Sequence, residues 1–420
     1  MIIPMRIARP SPESRIALDE INLADTNLYT KRDAHLVWQT LRAERPVFWQ
    51  KLDGGSGFWA VTRRADVYRV LSEYETFSSE GGTAIAMLDA PDPAAGIMMH
   101  SSDPPRHRAF RDQLGKPFSP RQVPAYSGFV RSFVKNAIEA ARDGDVWDVA
   151  ASFVRLPAAV VGMMMGLPEE DIDLLLRLAY ASLAPDDPRY NKPDAEKHVT
   201  AAVAHYEIIG YFTGCIASRR RSPSDDLISY LIDAQIAGRP MTDAELLSNC
   251  LSLLLGAVVT TSHVINATMI ALTELGSGEG HWPDCMAAHS AVEETLRWSS
   301  PVLHFMRRAR HDTEICGQTI PAGDAVTAWI ASANRDESAF ERPYDLDFER
   351  TPNRHVAFGA GPHTCLGSHV ARLMLRVSFE ELTASIEAFE LADAPVHLAS
   401  NEISGVVSLP LRIKPRARVS

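Results

Sequence analysis

One long apolar stretch limits most strongly what this chain can fold into. The run MTDAELLSNCLSLLLGAVVTTSHVINATMIALTELG begins at Met241. Thr242 and Glu245 have the spacing of a capping box, and Gly276 is placed to end a helix. The pattern predicts a single helix of about 34 residues, roughly 50 Å long. Because this helix is apolar on nearly every face, we expect it to run through the middle of the protein.

The remaining patterns predict a fold that is mainly α with a small β part. Most of the chain reads as amphipathic helix, and the strand patterns are short. VFWQKL and FWAVT flank the turn DGGSG and predict an early hairpin, TEICGQTIPAGDAVTAWIAS predicts strands joined by tight turns, and SGVVSLPLRIKP predicts a last hairpin. No linker or charge run divides the sequence, which favours a single domain over residues 1–420.

Composition and charge exclude several classes of function. Acidic residues outnumber basic ones by 53 to 42 without any basic stripe, which argues against nucleic acid or an anionic membrane as the partner. The first residues contain no apolar segment of the length of a signal peptide or membrane anchor, so we expect a cytoplasmic protein. The five cysteines are odd in number and widely spaced, which argues against a disulfide framework or a zinc ribbon.

One cysteine lies in an unusual context, the turn FGAGPHTCLG from Phe358 to Gly367. Cys365 precedes a helical pattern, and a helix N-terminus favours the thiolate. A single thiolate without neighbouring Cys or His ligands cannot complete a zinc or iron–sulfur site, but it can be the one axial protein ligand of a haem iron. A cysteine hydrolase with His363 as its base is the alternative, although two residues along a turn is a poor distance for a base.

At this turn the chain resembles the cytochromes P450. The positions that match the haem-binding signature of the family are Phe358, Gly359, Gly361, His363, Cys365 and Gly367. The segment EETLR carries the Glu-x-x-Arg pair of the family, Glu294 and Arg297, on one helix face, where they can form a buried ion pair. In the family this pair locks onto the segment ANRD. The resemblance extends from DPPRHRAFR to NEISGVVSLPLR and so covers nearly the whole chain.

The resemblance implies the P450 fold, with the long helix over a haem b whose iron is bound by Cys365. It also implies cationic or donor partners for the haem propionates, namely His107, Arg111, Arg307 and His363. Arg308 is the neighbour that competes with Arg307 for this role, and Asp103 is the expected N-cap of the helix that carries His107.

The central helix departs from the family pattern at one position. The family places an acid and then a threonine there, and the resemblance assigns the catalytic threonine to Thr260, followed by Thr261. The acid position is Val259, which cannot relay a proton. Water or a substrate hydroxyl can supply protons instead, or His263 can substitute. The third explanation is chemistry that depends less on the relay, such as oxidative coupling, ring formation or a peroxide-driven reaction.

The expected function is a haem-thiolate monooxygenase that hydroxylates or epoxidises a mostly apolar small molecule of secondary metabolism. The substrate is either free or tethered to a carrier protein, and its predicted pocket residues are Met99, Val258, Val259, His304 and Ile403. Electrons are expected from a ferredoxin and its ferredoxin reductase, docking near Cys365 on a basic patch of Arg106, Arg108, Lys116, Arg354 and His355. The competing class is a haem-binding sensor or scaffold without turnover.

Overall fold

The protein is described by a computed structural model that covers residues 10, 14–30, 34–142, 144–191 and 196–417. Helices account for about half of the chain, which confirms the predicted fold class. Their bounds are α1 Thr26–Thr30, α2 Ala34–Glu44, α3 Arg64–Ser72, α4 Arg106–Leu114, α5 Ser127–Arg142, α6 Val149–Phe153, α7 Arg155–Met165, α8 Ile172–Leu183, α9 Lys197–Arg221, α10 Leu227–Asp233, α11 Asp243–Val258, α12 Thr261–Leu275, α13 His289–Ser299, α14 Ile330–Ala333 and α15 Ser368–Ser385.

The strands are short and form small sheets at the edges of the helical body. Their bounds are β1 Val47–Lys51, β2 Gly57–Val61, β3 Phe77–Ser78, β4 Trp147–Asp148, β5 Gln235–Ile236, β6 Arg239–Pro240, β7 Glu279–His281, β8 His304–Ala309, β9 Thr313–Ile315, β10 Gln318–Ile320, β11 Ala325–Trp329, β12 Ile386–Leu391, β13 Val396–His397, β14 Val406–Ser408 and β15 Pro410–Pro415. The larger sheet has the order β1-β2-β11-β8-β3, and a second has the order β4-β15-β12-β7.

Two of the predicted hairpins have different outcomes. The early hairpin is confirmed, since β1 and β2 pair antiparallel with Trp49 opposite Trp59. The last predicted hairpin is wrong. β14 pairs with β13, whereas β15 pairs with β12 and β4, because Leu409 separates β14 from β15 and they enter different sheets.

The long central helix is two helices rather than one. The capping box of Thr242 and Glu245 starts α11, and Gly276 follows the end of α12, as predicted. Between them, Thr260 leaves helical geometry with φ −125° and ψ −60°. Four β-branched residues in succession, Val258 to Thr261, crowd the backbone at this point. The predicted single helix of about 34 residues is therefore interrupted at its centre.

The segment Asp243–Leu275 lies in the largest apolar core. By length and composition alone it could cross a membrane, but 67% of its most apolar 18-residue stretch is buried inside the protein. Its buried side chains pack with those of α7, α8, α9 and α15 in one continuous cluster. This burial is typical of a core helix. Smaller clusters cover the N-terminal helices and the α3 side of the larger sheet.

Candidate active site

The cysteine turn has a backbone conformation that favours glycine at two positions. Gly359 and Gly361 have φ of 73° and 65°. A Cβ at Gly361 would lie 2.5 Å from the Cα of Ser72, so no side chain fits there. The amide of Cys365 donates a hydrogen bond of 2.8 Å to the carbonyl oxygen of Phe358, which closes the turn before α15 begins.

The Cys365 thiol lies deep in the protein and yet has accessible surface. Burial raises its pKa, while the Gly367 amide and the nearby guanidinium of Arg111 act in the opposite direction. Part of its surface is nonetheless accessible to solvent. A deep residue with accessible surface must border an internal space, so the sulfur points into a cleft within the fold.

Cationic and donor groups gather in the same region. The His107 and His363 rings lie 4.2 Å apart, and a hydrogen-bonding distance of 3.1 Å joins His363 to the Ser79 hydroxyl. Nε2 of His107 is buried and has no hydrogen-bond partner among the described residues. Burial lowers the pKa of His107 to about 4, with Arg111 adding to the effect. These groups would be stabilised by an anion.

Arg307 is the strongest indication that an anion belongs there. Its side chain is 3% exposed, and its hydrogen bond goes to the carbonyl oxygen of Met306 at 2.8 Å. Within the described part of the chain no carboxylate forms an ion pair with it, and burial lowers its pKa to about 10. Buried guanidinium groups are normally paired. The carboxylates of a haem would supply the missing charge, so these residues fit the cofactor that the resemblance implies.

Arg308, the competing candidate, is directed elsewhere. It donates to the carbonyl oxygens of Gly81 and Leu88, on the loop before α4. Neighbouring residues of a strand face opposite sides, so only one of the two arginines of β8 can face the cluster. Asp103 is not a helix N-cap, since Pro105 takes that position. The Asp103 carboxylate instead accepts hydrogen bonds from the Ser79 amide at 3.0 Å and from Arg310 at 2.5 Å.

The interruption of the central helix creates a small, accessible region beside the predicted catalytic residues. Gly256 is exposed, and a Cβ added to it would meet no atom within 4 Å. The Thr260 hydroxyl lies 3.5 Å from the Gly256 carbonyl oxygen and is partly accessible, whereas Thr261 is buried at the start of α12. Val259 is 3% exposed and offers no proton. Of the two threonine hydroxyls, Thr260 and Thr261, only that of Thr260 is therefore accessible.

His263 is held by other contacts and is not free to replace the missing acid. A hydrogen-bonding distance of 3.0 Å joins its Nε2 to the Tyr180 hydroxyl, and its Nδ1 accepts from the Val406 amide at 3.3 Å. Burial lowers its pKa to about 4. Since both ring nitrogens are engaged, the explanation that used His263 as a proton donor is not retained.

The predicted pocket residues fall into two groups. Val258, Val259 and Ile403 belong to the main core cluster, and Met99 packs against it. The Asn249 side chain, which sequence reasoning missed, fixes Met99 by accepting from its amide at 2.9 Å. His304 is a correction: its ring lies 4.7 Å from that of Trp329, its Nδ1 is 3.1 Å from the Asn401 carbonyl oxygen, and strand alternation places it opposite to Arg307. We do not retain it as a pocket residue.

The Glu294–Arg297 pair is fully buried, with a separation of 2.7 Å. Arg297 also donates to the Asn334 carbonyl oxygen at 2.8 Å, in the ANRD segment. A third residue, Arg350, contacts Glu294 at 3.1 Å and was missed. Its position at the end of FERPYDLDFER was the available signal.

One residue of the predicted basic patch is not on the surface. The His355 side chain is 4% exposed and lies 3.2 Å from the Glu293 carboxylate. The same carboxylate also binds Arg372 at 2.6 Å. Arg106 remains accessible but forms an ion pair with Glu245 at 2.5 Å. Arg108, Arg354 and Lys116 are at least partly accessible.

The comparisons with known proteins agree with this geometry. The family model for Cytochrome P450 matches residues 287–415. Cytochrome P450 NovI of Streptomyces niveus is 32% identical over 94% of this chain and 97% of its own length. Linalool 8-monooxygenase of Pseudomonas putida is 32% identical, over 95% of this chain and 100% of its own length.

A solved structure extends the likeness to the fold. P450 OxyD, which is involved in the biosynthesis of vancomycin-type antibiotics, matches with a TM-score of 0.80 and 32% identity over 94% of this chain and 100% of its own. The signature turn, the buried Glu-x-x-Arg pair and full-length relatives thus lead to one conclusion: this chain belongs to the cytochrome P450 family of bacterial type and is an oxidoreductase.

Proposed function

We propose that this protein is a haem-thiolate monooxygenase that hydroxylates or epoxidises a mostly apolar small molecule of secondary metabolism. The observation that carries the proposal is the combination of a deep but accessible cysteine with a buried, unpaired arginine and a buried histidine nitrogen that has no hydrogen-bond partner. Cys365 borders an internal space, Arg307 forms no ion pair with a carboxylate among the described residues, and Nε2 of His107 has no hydrogen-bond partner there. This donor set suits a metal ion inside an anionic macrocycle better than it suits a zinc ion or a hydrolytic nucleophile.

The proposed cofactor is haem b, with the Cys365 thiolate on the iron. Such a haem, when bound, activates dioxygen for transfer to a substrate. In this chain the role of His107, Arg111, Arg307 and His363 is to hold its two propionates. Phe358 closes the turn by accepting a hydrogen bond from the Cys365 amide, and the Arg372 guanidinium stacks on its ring at 4.5 Å. Gly359 and Gly361 supply the positive φ angles that would hold Cys365 in place to bind the iron, and Gly361 also lets the turn pack against Ser72.

Proton delivery in this proposal passes through the Thr260 hydroxyl and through water or a substrate hydroxyl. The Val259 side chain is apolar and His263 is engaged by Tyr180 and Val406. These two observations favour a second candidate, in which the enzyme catalyses oxidative coupling or ring formation or uses peroxide. Such reactions place less demand on a proton relay.

The proposed electron donors are a ferredoxin and its reductase, in a cytoplasmic protein whose 420 residues form one catalytic domain. The accessible basic residues that would contact the ferredoxin are Arg108, Lys116 and Arg354. Nucleic acid and membrane are not proposed as partners, since the formal charge is −11 and no basic stripe is present in the sequence.

The decisive experiment is a spectrum of the reduced, carbon-monoxide-treated protein. A strongly red-shifted Soret band is expected from thiolate ligation, and Cys365→Ser should abolish it. A colourless purified protein that takes up no haem would refute the proposal. NADPH consumption with added ferredoxin and reductase then separates an enzyme from a haem sensor, and a parallel assay with hydrogen peroxide tests the second candidate.

A further inference from the structure

The loop between β13 and β14 carries a carboxylate without a partner. Glu402 has no hydrogen bond to its carboxylate and no ion pair among the described residues, and no basic side chain affects its pKa. Burial alone raises the pKa of this carboxyl to about 7. A carboxylate at this depth is costly to ionise, because no cation or hydrogen-bond donor among the described residues stabilises its charge.

The surroundings of Glu402 are those of an internal space. The residue lies deep in the protein, yet its side chain is only partly buried by surface area. As with Cys365, deep position together with accessible surface means that the residue borders an internal space. The carboxyl group of Glu402 therefore has room beside it for another molecule.

The backbone places Glu402 directly beside Ile403, a residue of the predicted pocket. The Leu303 amide donates to the Glu402 carbonyl oxygen at 2.8 Å, and Ile403 forms a β-bridge with Val302. Ile403 belongs to the same core cluster as Val258 and Val259 beside the interruption of the central helix. The Ser400 hydroxyl accepts from the amides of Glu402 and Ile403, both at 3.1 Å, which fixes the loop.

We propose that Glu402 binds a cationic group of the substrate, so that the substrate class is a small molecule with a protonated or quaternary amine on an apolar body. The apolar residues Val258, Val259 and Ile403 would contact the body, and the carboxylate would supply the one charged contact. This inference rests on the proposed function, because it takes the internal space to be the substrate pocket, and it adds the chemical class of the ligand.

The test compares two probes of equal shape and different charge on the haem-loaded protein. Phenethyltrimethylammonium carries a quaternary nitrogen that has no lone pair and cannot bind iron, and (3,3-dimethylbutyl)benzene is its neutral carbon analogue. Equilibrium dialysis measures the affinity of each. The wild-type protein should prefer the ammonium by about tenfold or more, because the charge interaction occurs away from bulk water.

Glu402→Gln keeps the shape of the side chain and removes its charge. It should abolish the preference for the ammonium while changing the affinity for the neutral probe by less than about twofold. Glu170→Gln, at an exposed site, is the matched control and should behave as the wild type. Failure of the ammonium to bind the wild type, equal affinity for the two probes, or a preference that survives in Glu402→Gln would overturn the proposal.

The same samples distinguish this proposal from the proposed function. Haem content and the carbon-monoxide spectrum are recorded for each variant. A missing red-shifted band together with a preference that depends on Glu402 would refute the monooxygenase and leave the cation site standing. A normal band without a preference for the ammonium probe would support the monooxygenase and refute the cation site.

Discussion

The Arg350 guanidinium lies 3.1 Å from the Glu294 carboxylate, which Arg297 also holds at 2.7 Å. Glu294 and Arg297 are fully buried and Arg350 is 9% exposed. Burial opposes ionisation of Glu294, but hydrogen bonds from Arg297 hold its pKa below the usual value. The Glu294–Arg297 pair therefore joins α13 to two distant segments, since Arg297 donates to the ANRD turn and Glu294 contacts Arg350 in the stretch before the cysteine turn.

Glu294→Gln should destabilise the protein strongly. The amide would leave two buried guanidinium groups without their anion, and breaking a buried pair in this way costs about 3–5 kcal/mol. Urea unfolding of the haem-loaded protein measures the loss. Glu349→Gln, at an exposed position on the same stretch, should change the free energy of unfolding by no more than about 0.5 kcal/mol. Equal effects of the two variants would contradict the role assigned to Glu294.

Arg307→Gln should lower haem retention, whereas Arg308→Gln should not. Arg307 is buried and donates one hydrogen bond, to a backbone carbonyl oxygen, so its positive charge is available to bind an anionic cofactor. Arg308 instead donates hydrogen bonds to the carbonyl oxygens of Gly81 and Leu88. Haem content per protein after gel filtration is the measurement. The assignment is wrong if Arg308→Gln loses as much haem as Arg307→Gln.

Gly361→Ala should prevent the cysteine turn from forming correctly. The new Cβ would lie 2.5 Å from the Cα of Ser72, and the φ of 65° is also unfavourable for alanine. Gly54→Ala has a φ of 88° and open space around its Cβ, so it should cost only about 1–2 kcal/mol of backbone strain. We expect loss of the red-shifted carbon-monoxide band in Gly361→Ala alone.

Val259→Asp should reduce the share of reducing equivalents lost as hydrogen peroxide. The carboxyl would stand next to Thr260 at the interruption of the central helix, where the present side chain cannot donate a proton. Val259→Asn introduces polarity without an acid and serves as the control. The ratio of peroxide to NADPH consumed is the measurement, and equal ratios in all three proteins would remove Val259 from the account of proton delivery.

Glu293 should make stability depend on pH in the acid range. Burial opposes its ionisation, but hydrogen bonds from Arg372 and His355 lower its pKa from 4.5 to about 2. Because the folded value is the lower one, the stabilisation is complete above pH 4.5 and is lost as the pH falls toward 2. Glu293→Gln should be less stable than the wild type at pH 6, and the difference should shrink on acidification. A difference that is independent of pH would contradict this.

Local patterns in the sequence predicted much of the fold. The capping box at Thr242, the stop at Gly276 and the β1–β2 hairpin depend on residues close in the chain, so spacing alone revealed them. The pairing of β14 with β13 could not be predicted this way, because the position of β14 also depends on α12, where the His263 ring and the Asn266 amide contact the Val406 backbone.

The cysteine turn and the Glu-x-x-Arg pair were determined by the sequence itself, since each is a short motif whose chemistry depends on fixed spacing. The tertiary structure decided which side chains share an environment: it separated Arg307 from Arg308, turned His304 and His355 away from their expected roles, and left Glu402 without a partner. The physical reason is that pairing and desolvation depend on contacts between residues far apart in the chain, and those contacts exist only after the helices and sheets have packed.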